Sequence, residues 1–191
     1  MIFVVVNKDK VNHKKNIFII TGGPAVGKTT LLESLRKRGH KCMDEVARQV
    51  IEEELKKKSN LVPWIDLHNF NMVVLERQIK QHANVSEELH FFDRGIPDSI
   101  GYLRLGGKEV HPEIHLAAKR RRYNKKIFFL EPWKEIYVND EVRKEPFEYA
   151  LKISDHIKNA YLELDYEIIS VPKTPVEERV EFILKEIKKK K

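Results

Sequence analysis

Two hydrophobic rhythms alternate along the chain. Five short runs rich in apolar, β-branched or aromatic residues predict strands: NIFIIT at 16–21, KCMDE at 41–45, LHFFD at 89–93, KIFFLE at 126–131 and YEIISV at 166–171. Between them the period changes. Leu31, Leu32 and Leu35 follow the first run, and Val46, Val50, Ile51 and Leu55 follow the second, at the three- and four-residue spacing that puts one helix face against a core. Residues 65–83 keep that period. Residues 139–164 and 175–188 predict two more helices, the last with Thr174 as cap and Pro175 in its first turn. Strands and helices in alternation predict an α/β fold, with a parallel sheet covered by helices on both faces.

The interval 95–125 breaks the rhythm. Its helix-like pieces are interrupted by Gly106, Gly107 and Pro112, which predicts a mobile helical insertion suited to a lid or to closing over an acceptor. No internal repeat or low-complexity linker divides the chain, so one domain over residues 1–191 is expected, with 1–15 as an edge strand and linker. A chain of 191 residues, 41% of them hydrophobic, is long enough to bury about 70% of its unfolded surface around a single core. The opening MIFVVV is too short for a membrane span and lacks a leading basic segment, so no span or secretory signal is expected.

Composition adds two constraints. A formal charge of +7 favours phosphate-bearing partners, although the terminal KEIKKKK contributes solvated lysines to it. The single cysteine, Cys42, leaves no internal disulfide and no cysteine-based zinc cluster, which fits a reducing cytoplasm. His111 and His115 stand four apart, but Pro112 lies between them and no third ligand is near, so they predict no metal site.

The candidate chemistry begins directly after the first strand. GGPAVGKTT supplies Gly22, Gly23, Pro24, Ala25, Val26, Gly27, Lys28, Thr29 and Thr30, which meets the full phosphate-loop pattern between a strand and a helix. Such a loop turns backbone N–H groups toward phosphate oxygens at a helix N-terminus. Lys28 is expected to reach the terminal phosphates, and Thr29 to offer a hydroxyl to Mg2+. The expected ligand is a nucleoside triphosphate. ATP is the first choice and GTP is also compatible, because no Asn-Lys-x-Asp element follows to select guanine.

Ligands of open α/β sheets bind outside the carboxyl ends of the strands. Carboxylates at those ends, Asp44 with Glu45 and then Asp93, are therefore expected to face the nucleotide, with Asp93 as a second metal-holding group. A hydrolytic motor usually follows that aspartate with a glutamate that activates water. Here Arg94 follows, and an arginine cannot take water's proton. It can neutralise a phosphoryl group in transfer, which favours transfer to an acceptor over motor hydrolysis.

Glu45 is then the candidate base for an acceptor hydroxyl. Arg48, three residues on along the same helix face, is expected to orient Glu45 or grip an anionic acceptor, with a plain surface ion pair as the alternative. Asp98 and Tyr102 follow Arg94 at helical spacing and are candidates for the acceptor pocket. Arg120, Arg121 and Arg122 are candidates for a lid over the triphosphate; a solvated helix end or a nucleic-acid patch are the competing readings, the latter weakened by the lack of an aromatic-rich module. Pro172, after the fifth strand, is a candidate for lying along the purine.

With GGPAVGKTT, DEVARQVI, FFDRGIPDSIGYLRL, RRRYNKKIFFLEPW and VPKTPVEERVEFIL in this order, residues 16–188 resemble a small P-loop family of AAA-type predicted ATPases. That family is related to the kinase domain acting on ribosylnicotinamide and to deoxynucleoside kinases. The resemblance implies a five-stranded sheet in 2-3-1-4-5 order, Glu45 as base, Asp93 and Arg94 as an acid–arginine pair, and lid arginines within 120–122. Gly95 departs from the serine or larger residue found in many nucleoside kinases. The expected function is a Mg2+-dependent phosphotransferase for a nucleoside, nucleotide or similar small molecule; the alternatives are a nucleotide-dependent regulatory ATPase or GTPase and, third, a kinase of nucleic-acid ends.

Overall fold

The structure, a computed structural model, describes residues 11–137 and 146–189. Seven strands occur among them: β1 Asn12–His13, β2 Ile17–Gly22, β3 Lys41–Met43, β4 His90–Asp93, β5 Arg121–Arg122, β6 Lys126–Leu130 and β7 Glu167–Val171. The helices are α1 Lys28–Lys37, α2 Val46–Lys56, α3 Leu67–Ala83, α4 Ile96–Leu105, α5 Pro112–Arg120, α6 Phe147–Leu162 and α7 Val176–Lys188. β3, β4, β2, β6 and β7 form a parallel sheet in that order. Counting only the five long runs, this is the 2-3-1-4-5 order the resemblance implies.

Alternation along β2 explains the two layers. Ile17 and Ile19 enter a core with Phe129, Ile153 and Ile157 beneath α4 and α6, while Phe18 and Ile20 enter another with Leu31, Leu35, Val180 and Ile183 beneath α1 and α7. Period two sends neighbouring side chains to opposite faces, so a strand that is apolar at every position must be covered on both. Full burial of each such side chain contributes about 1.5–3 kcal/mol. A third, smaller cluster of Val46, Val50, Ile51, Phe70 and Val74 joins α2 to α3.

Three expectations need correction. The interval 95–125 is not loose throughout, because its first helix, α4, is a core helix. Ile96, Ile100 and Leu103 are buried, and Gly101 lets α6 approach so closely that a Cβ there would lie 2.8 Å from the Ile157 nitrogen. Thr174 does not cap α7: Pro175 occupies that position with extended backbone and no side-chain cap. Arg121 and Arg122 do not overhang the phosphate loop. They pair with Asn12 and His13, just before β6 begins and therefore at the amino end of the sheet.

The helix expected over 139–164 is seen as α6, and its expected first turns lie outside the described residues. The expected edge strand over 1–15 is likewise seen only in part, as β1, which pairs with β5 and not with the main sheet. Among the described residues no helix is long and apolar enough to cross a membrane.

Candidate active site

β2 ends in Gly22, and the loop that follows is shaped by two glycines. Gly22 has φ 141°, and a Cβ on it would lie 2.2 Å from the Leu130 carbonyl oxygen, so β6 leaves no room for any side chain. Gly27, with φ 83°, turns the chain into α1 from the left-handed region. Ala25 is also left-handed at φ 53°. Val26 anchors the loop in the core under α1, and the Gly23 N–H donates to Ser154 Oγ of α6 at 3.1 Å.

Lys28 is buried and its Nζ donates to the Gly23 carbonyl at 2.6 Å, while Thr29 and Thr30 are exposed on the first turn of α1. Pro24 forms part of the wall of a cavity beside the loop. Pro172 follows β7 on the same edge of the sheet, since Val171 registers with Leu130 and Leu130 with Gly22.

The centre of the site is Arg94. It follows β4 with φ 70°, a left-handed conformation that costs a non-glycine residue about 1–2 kcal/mol. Several contacts hold it there. Its N–H donates to the Ile20 carbonyl at 3.0 Å, and Nη1 donates to the Gly22 carbonyl at 2.8 Å and to Asp98 Oδ1 at 3.0 Å. Nε lies 3.2 Å from Glu45 Oε1, and the guanidinium carbon is 5.3 Å from the centre of the Tyr102 ring. Burial pulls the pKa of Arg94 down, but Tyr102, Glu45, Asp98 and Asp93 more than offset it and hold the group well above the ordinary arginine value. Nε and Nη2 have no hydrogen-bond partner among the described residues.

Asp98 is buried and saturated. It accepts from the Thr21 hydroxyl, from Arg94, from the Gly95 N–H at 3.0 Å and from the Tyr161 hydroxyl at 2.6 Å. Burial and the neighbouring carboxylate push the Tyr161 phenol far above its usual pKa, so it remains a donor. Asp98 therefore acts as an anchor for Arg94, joining β2, α4 and α6. The same phenol explains Gly95: a Cβ there would meet Tyr161 Oη at 2.8 Å.

Glu45 stands at the start of α2, beyond β3, and is 7% exposed. It shares with Arg94, Asp98 and Tyr102 the wall of a cavity of about 300 Å3, lined also by Trp64 and Phe70 and by the amides of Asn71 and Gln78. The Gln78 Oε1 is buried without a hydrogen-bond partner among the described residues. Asp93 ends β4 opposite Ile20, one strand from the phosphate loop. Together with Thr29 it offers the hard oxygen ligands that suit Mg2+. Among the described residues no group of three or more His, Cys, Asp or Glu forms a metal cage of its own, so a bound ion would lean on phosphate oxygens and water.

Thus Glu45, Asp93, Arg94, Asp98 and Tyr102 gather near the phosphate loop, and two expected groups do not. Arg48 does not line the cavity; its Nε pairs with Glu52 at 3.1 Å along α2, the surface arrangement. Arg120 ends α5 next to β5, and Arg122 donates to the Leu164 carbonyl at 2.6 Å and stacks 3.9 Å from the Tyr166 ring centre. Sequence reasoning missed Ser154, Tyr161, Asn71 and Gln78. The amides carried a faint signal, being buried polar residues on the apolar face of α3.

Residues 17–179 match the family described as AAA domain. The chain belongs to that family. No curated protein matches it in sequence. Solved structures resemble the family member at low identity. The NadR protein in complex with NR is 16% identical with a TM-score of 0.65, over 91% of this chain and 52% of that one. Deoxyadenosine kinase from M. mycoides with bound dATP is 16% identical with a TM-score of 0.64, over 91% and 100%. Thymidylate kinase from Ehrlichia chaffeensis is 13% identical with a TM-score of 0.61, over 91% and 98%. The chain spans about half the length of the NadR protein. At these identities the likeness is one of fold: this AAA-domain chain has the fold of P-loop kinases.

Proposed function

We propose that this protein is an ATP-using, Mg2+-dependent kinase that phosphorylates a hydroxyl of a nucleoside, nucleotide or similar small molecule. The observation that carries the reading is the position of Arg94, whose guanidinium touches the Gly22 carbonyl of the phosphate loop while facing Glu45 in the cavity. One cation thereby borders both the triphosphate cradle and the acceptor space.

In this reading the loop amides and Lys28 hold the triphosphate, and the acceptor lies between Trp64, Phe70 and Tyr102. Glu45 takes the proton of the acceptor hydroxyl as its oxygen attacks the terminal phosphorus. The bond from that phosphorus to the bridging oxygen breaks, and the nucleoside diphosphate leaves. Arg94 neutralises charge on the phosphoryl group in flight, which is worth several powers of ten in such systems. Thr29 and Asp93 would hold Mg2+, which supplies further neutralisation of the phosphate oxygens when bound.

The cavity supports a ring-bearing acceptor with a polar edge. Its walls are aromatic, and two amides, Asn71 and Gln78, supply donors and acceptors. A partly enclosed cavity of about 300 Å3 suits one small molecule better than a nucleic-acid end. A partner-binding switch is disfavoured because the segment it would move includes the buried α4.

The test is a panel of nucleosides, nucleotides and vitamin-like alcohols scored for acceptor-dependent ADP release. At least one acceptor should stimulate release, and Glu45→Gln should cut the stimulated rate about 10²–10⁴-fold while triphosphate affinity holds. Stimulation by no member, with a protein partner captured only in the triphosphate state, would turn the reading toward a switch.

A further inference from the structure

Arg179 was not expected in the site. It lies on the first turn of α7 and is 7% exposed, although arginine is among the residues least often buried without a partner. Its guanidinium packs against the phosphate loop itself: a Cβ on Gly27 would lie 3.0 Å from Nη1 and 3.6 Å from Nη2. The guanidinium carbon sits 5.8 Å from the centre of the Trp133 ring. Nε has no hydrogen-bond partner among the described residues.

Two acids of the same helix are committed elsewhere. Glu177 accepts from Ser34 and Arg38, and Glu181 also pairs with Arg38. Burial lowers the pKa of Arg179, and among the described residues no carboxylate opposes that shift. The group still stays charged, because arginine does not lose its proton in proteins. A cation this buried with no counter-charge among the described residues is costly, and removing one partner of a buried pair typically costs about 3–5 kcal/mol. The site therefore calls for an anion, and the adjoining structure is a loop built to cradle phosphate at a helix N-terminus.

Resting on the nucleotide-binding reading above, we propose that Arg179 is a nucleotide-binding residue whose guanidinium grips the phosphate chain from the α7 side of the loop, across from Lys28. Trp133 supports the guanidinium from beneath. Acceptor binding, on the α3–α4 side, is untouched by it. The ligand class is a nucleoside di- or triphosphate, and the unphosphorylated nucleoside makes no use of Arg179.

The experiment uses the full chain and calorimetric titration with magnesium ATP in the absence of acceptor, together with thermal melting with and without nucleotide. Arg179→Met should weaken ATP affinity about 10–100-fold, in line with a charge-assisted contact to phosphate. The ligand-free melting temperature should hold or rise, because an uncompensated buried charge has gone. Arg179→Lys should retain affinity to within a few-fold. Lys28→Ala is the control for the loop and should abolish binding.

If Lys28→Ala abolishes binding while Arg179→Met binds within twofold of the wild type, this inference fails and the phosphate-loop reading stands. A fall in ligand-free melting temperature that parallels the loss of affinity in both Arg179 variants makes Arg179 a packing residue and likewise overturns it. If Lys28→Ala binds normally, the underlying nucleotide reading fails and takes the inference with it.

Discussion

Two arginines at opposite ends of one sheet, Arg94 buried and Arg122 half-buried, show how the same side chain can be built for different work. At the amino end, Arg122 donates to the Leu164 carbonyl and sits over the Tyr166 ring, joining β5 to the junction of α6 and β7. Its neighbour His82 belongs to the same brace, with Nε2 3.1 Å from the Arg122 carbonyl and its ring edge-on to Tyr123. At the carboxyl end, Arg94 is held in a left-handed backbone conformation, surrounded by Glu45, Asp98 and Tyr102, and keeps donors without hydrogen-bond partners beside a cavity. Arg94 thus meets acids and a cavity, whereas Arg122 meets a carbonyl and a ring.

The largest break in that comparison should come from Arg94→Met. It leaves Glu45 and Asp98 buried without their cation, so chemical denaturation should register a loss of roughly 3–5 kcal/mol. Acceptor-dependent turnover of the folded fraction should fall about 10³-fold or more. Full turnover would remove Arg94 from the chemistry and leave it as a brace like Arg122.

The amino end should respond to acid. Burial lowers the pKa of His82 from 6.5 to about 4. A carbonyl can only accept, so Nε2 carries the proton in the neutral ring and Nδ1 lies buried without a hydrogen-bond partner among the described residues. The unfolded chain gains a proton below pH 6.5 and the folded one only near 4, so stability should decline as pH falls through that window. The total loss should be roughly 3 kcal/mol. In His82→Gln the slope over this range should flatten, and an unchanged slope would place the acid sensitivity elsewhere.

The smallest effect is expected from Arg122→Met. Losing one hydrogen bond to a carbonyl and one stacked cation should cost about 1–2 kcal/mol. The KM for ATP should stay within twofold, as befits a brace at the far end of the sheet. A tenfold rise in that KM would restore the lid role expected from KRRRY.

These contrasts also mark how far a linear reading reaches. The phosphate loop, the five runs and the pairing of Asp93 with Arg94 are contiguous features, and their spacing alone specified strand, turn and helix. Glu45 was legible because strand ends converge on ligands in this class of sheet. KRRRY misled because charge density says nothing about which end of a sheet a segment reaches. That was decided by the pairing of β5 with β1. Gly106, Gly107 and Pro112 made the interval 95–125 read as loose, whereas Gly101 fits α4 tightly against α6.

Hydrophobic period, glycine placement and the nine-residue loop motif thus determined by themselves an α/β chain with a phosphate cradle after its first strand, because each depends on residues only a few positions apart. Tertiary structure alone decided that Arg94 faces Glu45 across the loop–cavity border, that Asp98 is bound by Thr21 and Tyr161, and that Arg179 of the last helix lies against Gly27 of the first turn. Those meetings join residues tens to more than a hundred positions apart, and packing two helical layers on one twisted sheet is what brings them within reach.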